Sequence, residues 1–364
     1  MVKGGTEMVT QGMQHVFGPV PTRRLGRSLG IDPVPLKTCN FSCVYCQLGR
    51  TRRMTVKRKP FFGVTGIVAE VATALDGHQP ADIDWITLVG SGETTLSSRL
   101  GSLVYFVKSL SHLPVAVITN GSMLHIPKVR AELADADAVL PSLDAGTEEL
   151  YRRINRPHHD LTFAQHVEGL IEFRKTYRGK LWVEIMLLGG VNDSTVALKD
   201  IATVLERVKP DEIHISTPTR PPAELWVELP DTDGLERAES ILGRVAKVLK
   251  PIGMGGDLRI EGDLADAVLK IVSRHPLQEI ELQRMLTRWV RGRVDETMAG
   301  LQESGEVQVV KRLGRRFWCA AEMEFPDDGK WPQNNRDRTS SDTELTPREP
   351  LRRLYQSGLL GYPH

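Results

Sequence analysis

Apolar residues recur along this chain in two alternating rhythms. Short continuous runs have the length and β-branched content of buried strands: Asp84 to Val89 (D-W-I-T-L-V), Pro114 to Thr119 (P-V-A-V-I-T), Ala138 to Leu143, Lys180 to Leu188 and Glu212 to Ser216. An earlier run, Ser28 to Val34, ends among Pro33 and Pro35. Between these runs the spacing lengthens to that of a helix. Thr65 to Leu75 puts Ile67, Val68, Val71, Ala72 and Leu75 on one face, and Ser97 to Leu110, Leu161 to Tyr177, Ser194 to Val208 and Leu235 to Leu249 read the same way. Pro127 opens a further helix to Ala134 from a first-turn position that needs no N–H. The result is six strand–helix units between Ser28 and Lys250. Strands without polar alternation are covered on both faces, so the pattern predicts an α/β fold with an open parallel sheet or partial barrel. Chemistry in such sheets collects at the carboxyl ends of the strands. Glu93, Asn120, Asp144, Asn192 and the Thr217-Pro218-Thr219-Arg220 turn fall there.

A second unit is expected over residues 262–321. Leu264, Val268, Leu269 and Val272 mark one helix, Leu277 to Leu286 a second and Arg291 to Ser304 a third. Val307–Val310 and Arg316–Cys319 then flank a turn at Gly314. Three helices followed by a two-stranded wing predict a winged helix. From Asp263 to Ala320 it has ten basic and eight acidic residues, with Lys311, Arg312, Arg315 and Arg316 at the wing tip. Such a unit serves nucleic acid, a protein partner or the adjoining catalytic domain. Residues 1–15 read as a weakly ordered lead, 16–260 as the barrel, and 325–364, rich in Asp, Asn, Arg, Ser and Thr, as a disordered tail.

Composition narrows the classes. The chain of 364 residues is 40% hydrophobic and 26% charged, with a net charge of +1, so there is no global electrostatic case for nucleic acid or membrane. No apolar run approaches the roughly 18 residues of a membrane span, and the first residues lack the apolar core of a signal peptide. Four cysteines in this length argue against a disulfide framework, and a reducing cytoplasm is the expected location.

Three of those cysteines lie within eight residues, as Cys39-Asn40-Phe41-Ser42-Cys43-Val44-Tyr45-Cys46. Three close thiols cannot all pair as disulfides. A zinc knuckle would add a fourth Cys or His at short range, and the nearest downstream histidine is His78. Three thiolates suit a cubic iron–sulfur cluster with one iron left open, which makes the loop a candidate active site. Cys319 lies far off and reads as a small buried apolar residue.

The C-x3-C-x-aromatic-C pattern, with Tyr45 as the aromatic residue, resembles that of the radical S-adenosylmethionine (SAM) superfamily. The run from Phe17 to Gly30 is similar to an orphan branch related to the tRNA wyosine-base synthases. The resemblance covers Phe17 to Pro222. It implies a partial (β/α)6 TIM-like barrel holding a 4Fe-4S cluster on Cys39, Cys43 and Cys46, with SAM chelating the open iron. It also implies a reductant such as flavodoxin or ferredoxin, and tRNA or another nucleic acid as substrate. The wyosine-base synthases carry three further cysteines near the N-terminus. This chain has none before Cys39, which counts against the wyosine reaction itself.

On the same resemblance, Ser91-Gly92-Glu93 stands where the superfamily has Gly-Gly-Glu and would receive the methionine ammonium. Ser142 and Asp144 would meet the methionine carboxylate or ribose hydroxyls, and Asn120 the substrate or its own turn. Gly189, Gly190 and Asn192 combine turn geometry with adenine or substrate contact, and Arg220 suits an anionic group. The Pro-, Gly- and Arg-rich stretch from Phe17 to Arg27 is expected to close the barrel end as a hairpin; the alternative is that Arg23, Arg24 and Arg27 meet an anion. The run Arg50, Arg52, Arg53, Lys57, Arg58 and Lys59 reads as a solvated loop, with phosphate contact as the alternative, and His158–His159 as loop histidines or a proton or metal site. Two functions compete with the radical SAM enzyme: an iron–sulfur-regulated winged-helix protein that binds nucleic acid, and a degenerate barrel serving binding or assembly.

Overall fold

The structure, a computed structural model, describes residues 13–250, 264–290 and 292–326. The readings of residues 1–12 as a loose lead and of the tail beyond Pro326 as disordered lie outside the described residues.

An eight-stranded sheet organises the chain. Its hairpin of β1 (Val16–Thr22) and β2 (Gly26–Ile31) is antiparallel. From β2 the sheet runs parallel through β5 (Trp85–Leu88), β6 (Val115–Thr119), β7 (Ala138–Pro141), β8 (Lys180–Met186), β9 (Glu212–Ser216) and β10 (Ala246–Val248). Two-residue strands β3 (Thr38–Cys39) and β4 (Arg53–Met54) pair with each other and bracket the cysteine loop. Helices α1 (Val64–Asp76), α2 (Leu100–Leu110), α3 (Pro127–Glu132), α4 (Glu148–Ile154), α5 (Phe163–Thr176), α6 (Thr195–Val208) and α7 (Thr232–Leu242) connect the strands. Local chemistry fixes several of their starts: Ser194 caps α6 by accepting from Ala197 N, and Thr162 with Gln165 forms a capping box on α5.

The two sheet faces differ, because successive strand residues point opposite ways. Leu29, Ile31, Ile86, Leu88, Val115, Val117, Val139, Leu181, Val183, Ile185, Ile213 and Ile215 pack with the helices in the main core. The alternate residues face the concave side. There Leu25, at the β1–β2 turn, packs on Ala116, Ala138, Leu140 and Trp182 and plugs the lower end. Above this plug the concave face turns polar, with Ser28 Oγ 2.5 Å from Thr87 Oγ1 and Ser216 Oγ donating to Glu184 at 2.8 Å. The hairpin reading of Phe17–Arg27 therefore holds.

One element differs from the pattern. The helix expected to reach Leu249 stops at Leu242, and Ala246–Val248 adds a seventh parallel strand beside β9. Gly243, at φ 84°, takes the chain out of the helix, and the short apolar segment after it fits either period.

Beyond the sheet come α8 (Leu264–Val272), β11 (Leu277–Gln278), α9 (Glu279–Trp289), α10 (Val294–Glu303), β12 (Val307–Arg312) and β13 (Arg315–Ala320). The three strands form an antiparallel sheet in the order β11-β13-β12 over a separate apolar core that includes Val268, Leu282, Leu286 and Trp318. This unit lies against the cysteine loop. Leu48 packs with Val310, Phe317, Cys319, Met323 and Phe325, and Cys46 borders the same cluster. The backbone of Gly49 bridges to Glu324, whose carbonyl also accepts from Arg50 N at 2.8 Å. Gly49 is required here: its φ is +77°, and a Cβ would fall 2.4 Å from the Glu324 carbonyl oxygen.

Candidate active site

The cysteine loop leaves β2 at the carboxyl end of the sheet and is tied to its neighbours by main-chain bonds. Glu93 N donates to Thr38 O at 2.9 Å, Val44 N to Ile154 O at 2.9 Å, His158 N to Asn40 O at 2.8 Å and Glu224 N to Val44 O at 3.0 Å. Inside the loop, Thr51 donates through Oγ1 to Phe41 O at 2.6 Å and through N to Ser42 Oγ at 3.1 Å. Gly92 permits the closest approach: a Cβ there would lie 1.9 Å from Thr38 O, which no side chain allows.

Each sulfur faces a side-chain nitrogen donor, and Cys39 Sγ also accepts from Phe41 N at 3.4 Å. Lys37 Nζ is 3.1 Å from Cys46 Sγ, Asn120 Nδ2 is 3.8 Å from Cys39 Sγ, and Asn155 Nδ2 is 3.7 Å from Cys43 Sγ. Burial pushes the Cys39 thiol up to about 12 and raises that of Cys43 as well; neighbouring Cys46 adds to both shifts. Three half-buried thiols in one loop need a positive partner to ionise together. Among the described residues only His158, His159 and Asp160 bring three potential ligand atoms within 4.8 Å of one another. At least one pair of the sulfurs thus stands farther apart than the roughly 3.8 Å that thiolates keep around one tetrahedral zinc with bonds of about 2.3 Å. That spacing and donor set fit a multi-iron cluster.

The residues singled out at the other strand ends are drawn toward this loop, in differing roles. Tyr45 Oη donates to Asp144 Oδ2 at 2.5 Å, Asn155 Nδ2 reaches the same oxygen at 2.6 Å, and Met186 N donates to Oδ1 at 2.8 Å. Asp144 is buried, and desolvation raises its pKa to about 6 despite these donors. Glu93 is more fully engaged. Its Oε1 accepts from Thr95 N at 2.9 Å, from the Thr95 hydroxyl and from Thr119 Oγ1 at 2.5 Å, and its Oε2 accepts from Asn120 N at 2.7 Å. Burial still raises its pKa. Ser91 Oγ donates to Asp32 Oδ2 at 2.5 Å, and its carbonyl accepts from Lys37 N at 2.6 Å. Asn120 sits against Asn40 Oδ1 at 2.7 Å as well as Cys39. Ser142 is bridged to Glu184, and its carbonyl meets His166 Nε2 at 3.0 Å; among the described residues it makes no hydrogen bond to the cysteine loop. Asn192 is spent on main chain, holding Leu188 N, Asp144 O and Met186 O.

Several contributors carried no signal in the sequence. Asn155 follows α4 at its C-cap, and only the fold puts its amide between Asp144 and Cys43. Lys37, at φ 54°, lies outside any motif. Glu224 is fully buried and accepts from Arg50 at 2.7 and 2.9 Å and from Arg156 at 2.5 Å, clamping the loop to the turn after β9. The basic run is thereby divided: Arg50 serves Glu224, Arg58 pairs with Glu132 and Arg52 with Glu324, while Arg53, Lys57 and Lys59 are exposed. Arg27 pairs with Asp82 and Asp84 on the outer surface. His158 and His159 stack at 4.1 Å beside Asp160, with His159 exposed. Cys319 is buried in the C-terminal unit, its thiol pushed up to about 12 by desolvation.

A parallel α/β sheet with three cysteines clustered at its carboxyl edge defines a class. The family described as Radical SAM superfamily matches residues 34–200, and the chain carries this domain. A UPF0026 protein of Methanocaldococcus jannaschii is 33% identical over 280 residues, spanning 76% of this chain and 87% of that protein. The chain belongs to the UPF0026 family. It is also 34% identical over 299 residues to a protein named GTPase Obg from Brachyspira hyodysenteriae, covering 81% of this chain but only 43% of that protein. No Gly-Lys-Ser or Gly-Lys-Thr phosphate-loop ending occurs in the present sequence. Among solved structures, TYW1 with a lysine-pyruvate adduct bound aligns with TM-score 0.44 and 16% identity, over 61% of this chain and 74% of that one. Among the described residues no helix is long and apolar enough to cross a membrane.

Proposed function

We propose that the chain is a radical SAM enzyme whose Cys39, Cys43 and Cys46 hold a 4Fe-4S cluster. The observation that carries this reading is the arrangement of three half-buried cysteines in one loop, each opposed by a side-chain nitrogen donor from a different part of the fold. When bound, the reduced cluster supplies one electron to the sulfonium of SAM, which splits into methionine and a 5′-deoxyadenosyl radical. Lys37, Asn120 and Asn155 offset the negative charge on the sulfurs, and such donors raise a cluster's reduction potential. Tyr45 and Asn155 fix Asp144, whose remaining acceptor capacity suits a ribose hydroxyl. Glu93 positions the Gly92 turn and the Asn120 amide, leaving main-chain carbonyls there for the methionine ammonium. The packed C-terminal unit and the loop clamp at Glu224 help to exclude water.

As substrate we put forward tRNA or another nucleic acid, with exposed Arg53, Lys57 and Lys59 beside the loop as phosphate contacts, and flavodoxin or ferredoxin as reductant. We read the helix–strand–helix–helix–strand–strand order of the C-terminal unit as a winged helix. Its α10 stands where a recognition helix would, yet it carries Asp295, Glu296 and Glu303 and no basic residue, and Arg312 is buried. These features favour packing on the catalytic domain over a role as an iron–sulfur-regulated DNA reader.

The test is anaerobic reconstitution with iron and sulfide, reduction, addition of SAM and measurement of 5′-deoxyadenosine. Product is expected from the native chain and none from Cys43→Ala. A fully loaded cluster that never cleaves SAM would overturn the reading.

A further inference from the structure

Four arginines gather on the open side of the sheet, where the β1–β2 turn, the turn after β9 and the C-terminal unit meet. Two of them have carboxylates of their own: Arg24 pairs with Glu184, and Arg220 pairs with Glu281 on α9. Arg274, which follows α8, finds its carboxylate at 3.7 Å, in Asp32 Oδ2, an oxygen already taken by Ser91 Oγ at 2.5 Å. Arg23 has no carboxylate within ion-pair reach among the described residues; its Nη2 donates to Thr219 Oγ1 at 3.1 Å. Three nitrogens of this group are buried without a hydrogen-bond partner: Arg23 Nη1, Arg274 Nε and His275 Nε2. They belong to one neighbourhood. The Arg274 guanidinium lies 5.2 Å over the Phe17 ring and the His275 ring meets the same ring at 5.8 Å; Arg220 acts electrostatically on both Arg23 and His275, and Glu184, paired to Arg24, attracts Arg23 from beyond ion-pair distance.

Four guanidinium groups thus face three carboxylates, those of Glu184, Glu281 and Asp32. Buried charges are normally matched, since an uncompensated one forfeits its hydration for nothing. Elsewhere in this protein such arginines do reach a carboxylate within ion-pair distance, Arg58 that of Glu132, and Arg50 and Arg156 together that of Glu224. A guanidinium that only filled space under the hairpin would be expected to do the same. Unsatisfied donors in one neighbourhood call for an acceptor, and planar forks of this kind suit a phosphate or carboxylate.

We propose that Arg23, with Arg220 and Arg274, forms a binding site for an oxyanion carried by the substrate. Assigning the anion to the substrate rests on the radical chemistry proposed above; the binding itself does not. The site joins both parts of the chain, Arg23 and Arg220 from the sheet and Arg274 from the C-terminal unit. It adjoins the cysteine loop, because Gln47 Nε2 donates to Arg274 O at 3.1 Å, one residue beyond Cys46.

The experiment is calorimetric titration of the full chain with inorganic phosphate at constant ionic strength, with acetate in a parallel arm, alongside thermal melts without either anion. Native protein is expected to bind phosphate saturably. Arg23→Gln should weaken this by about tenfold or more, in keeping with loss of a charge-assisted bond, and should melt at the same temperature as the native chain or higher. Arg23→Lys should retain part of the binding. Saturable binding of acetate but not phosphate would keep the site and assign it to a carboxylate. Absence of saturable binding by either anion, binding undiminished in Arg23→Gln, or a clear fall in its melting temperature would overturn the proposal. None of these outcomes alters the SAM-cleavage assay, so the two readings fail separately.

Discussion

Around the cysteine loop the buried carboxylates among the described residues are held by an ion pair or by several hydrogen bonds; on the open side of the sheet one guanidinium has a single hydrogen bond and no carboxylate within ion-pair reach. Glu224 is met by Arg50 and Arg156, and Asp144 and Glu93 are surrounded by donors. The orphaned polar atoms near the loop, Tyr151 Oη and His166 Nδ1, belong to neutral side chains, whereas Arg23 Nη1 belongs to a cation. The first region is built to hold its shape before any substrate arrives, and the second is left incomplete. Preorganised groups serve a reactive centre that must not move, and unpaired charge serves recognition.

Substitutions can sharpen this contrast. The largest effect is expected from Glu224→Ala, which removes the carboxylate shared by Arg50 and Arg156 and should cost about 3–5 kcal/mol of stability in urea unfolding. A cost below about 1 kcal/mol would show that the loop clamp is not structural.

Next comes pH. His166 is buried against Phe41 and Tyr151, and desolvation lowers its pKa to about 4. In the unfolded chain a histidine titrates near 6.5. Both states are neutral above that value, so the full stability is present there. As pH falls below about 6.5 the unfolded state takes up a proton that the folded state refuses, and stability declines until the folded group titrates near 4. The loss from this group approaches about 3 kcal/mol at roughly 1.4 kcal/mol per unit. His166→Gln should flatten that part of the profile, and an unchanged slope would mean that the imidazole is solvated.

A smaller effect is expected at Asn155. Asn155→Ala removes a donor from Asp144 and from Cys43 and should cost about 1–3 kcal/mol, together with a lower cluster reduction potential by redox titration. A stability loss with an unchanged potential would assign Asn155 to the fold alone. The smallest belongs to the outer surface: Arg27→Ala loses exposed pairs to Asp82 and Asp84 and should shift stability by less than about 1 kcal/mol.

The alternation of apolar runs determined the parallel sheet and its helices, because burial on both strand faces leaves a pattern that needs no partner to be read. The spacing of Cys39, Cys43 and Cys46 likewise named the candidate site, since a single loop supplies all three sulfurs. The extra strand at Ala246–Val248 was hidden because three residues are too few to separate the two periods. Only the tertiary structure decided which polar groups are occupied. Glu93 and Asp144 look alike in sequence, each a carboxylate at a strand end, and the fold surrounds both with donors from β6, β8, the cysteine loop and the end of α4. Arg23 and Arg24 are adjacent and identical in type, yet Arg24 pairs with Glu184 and Arg23 has no carboxylate within ion-pair reach among the described residues. Among the described residues, hydrogen-bond and charge partners come from segments as much as 260 residues away. Their supply is a property of packing, and nothing in a residue's own neighbourhood encodes it.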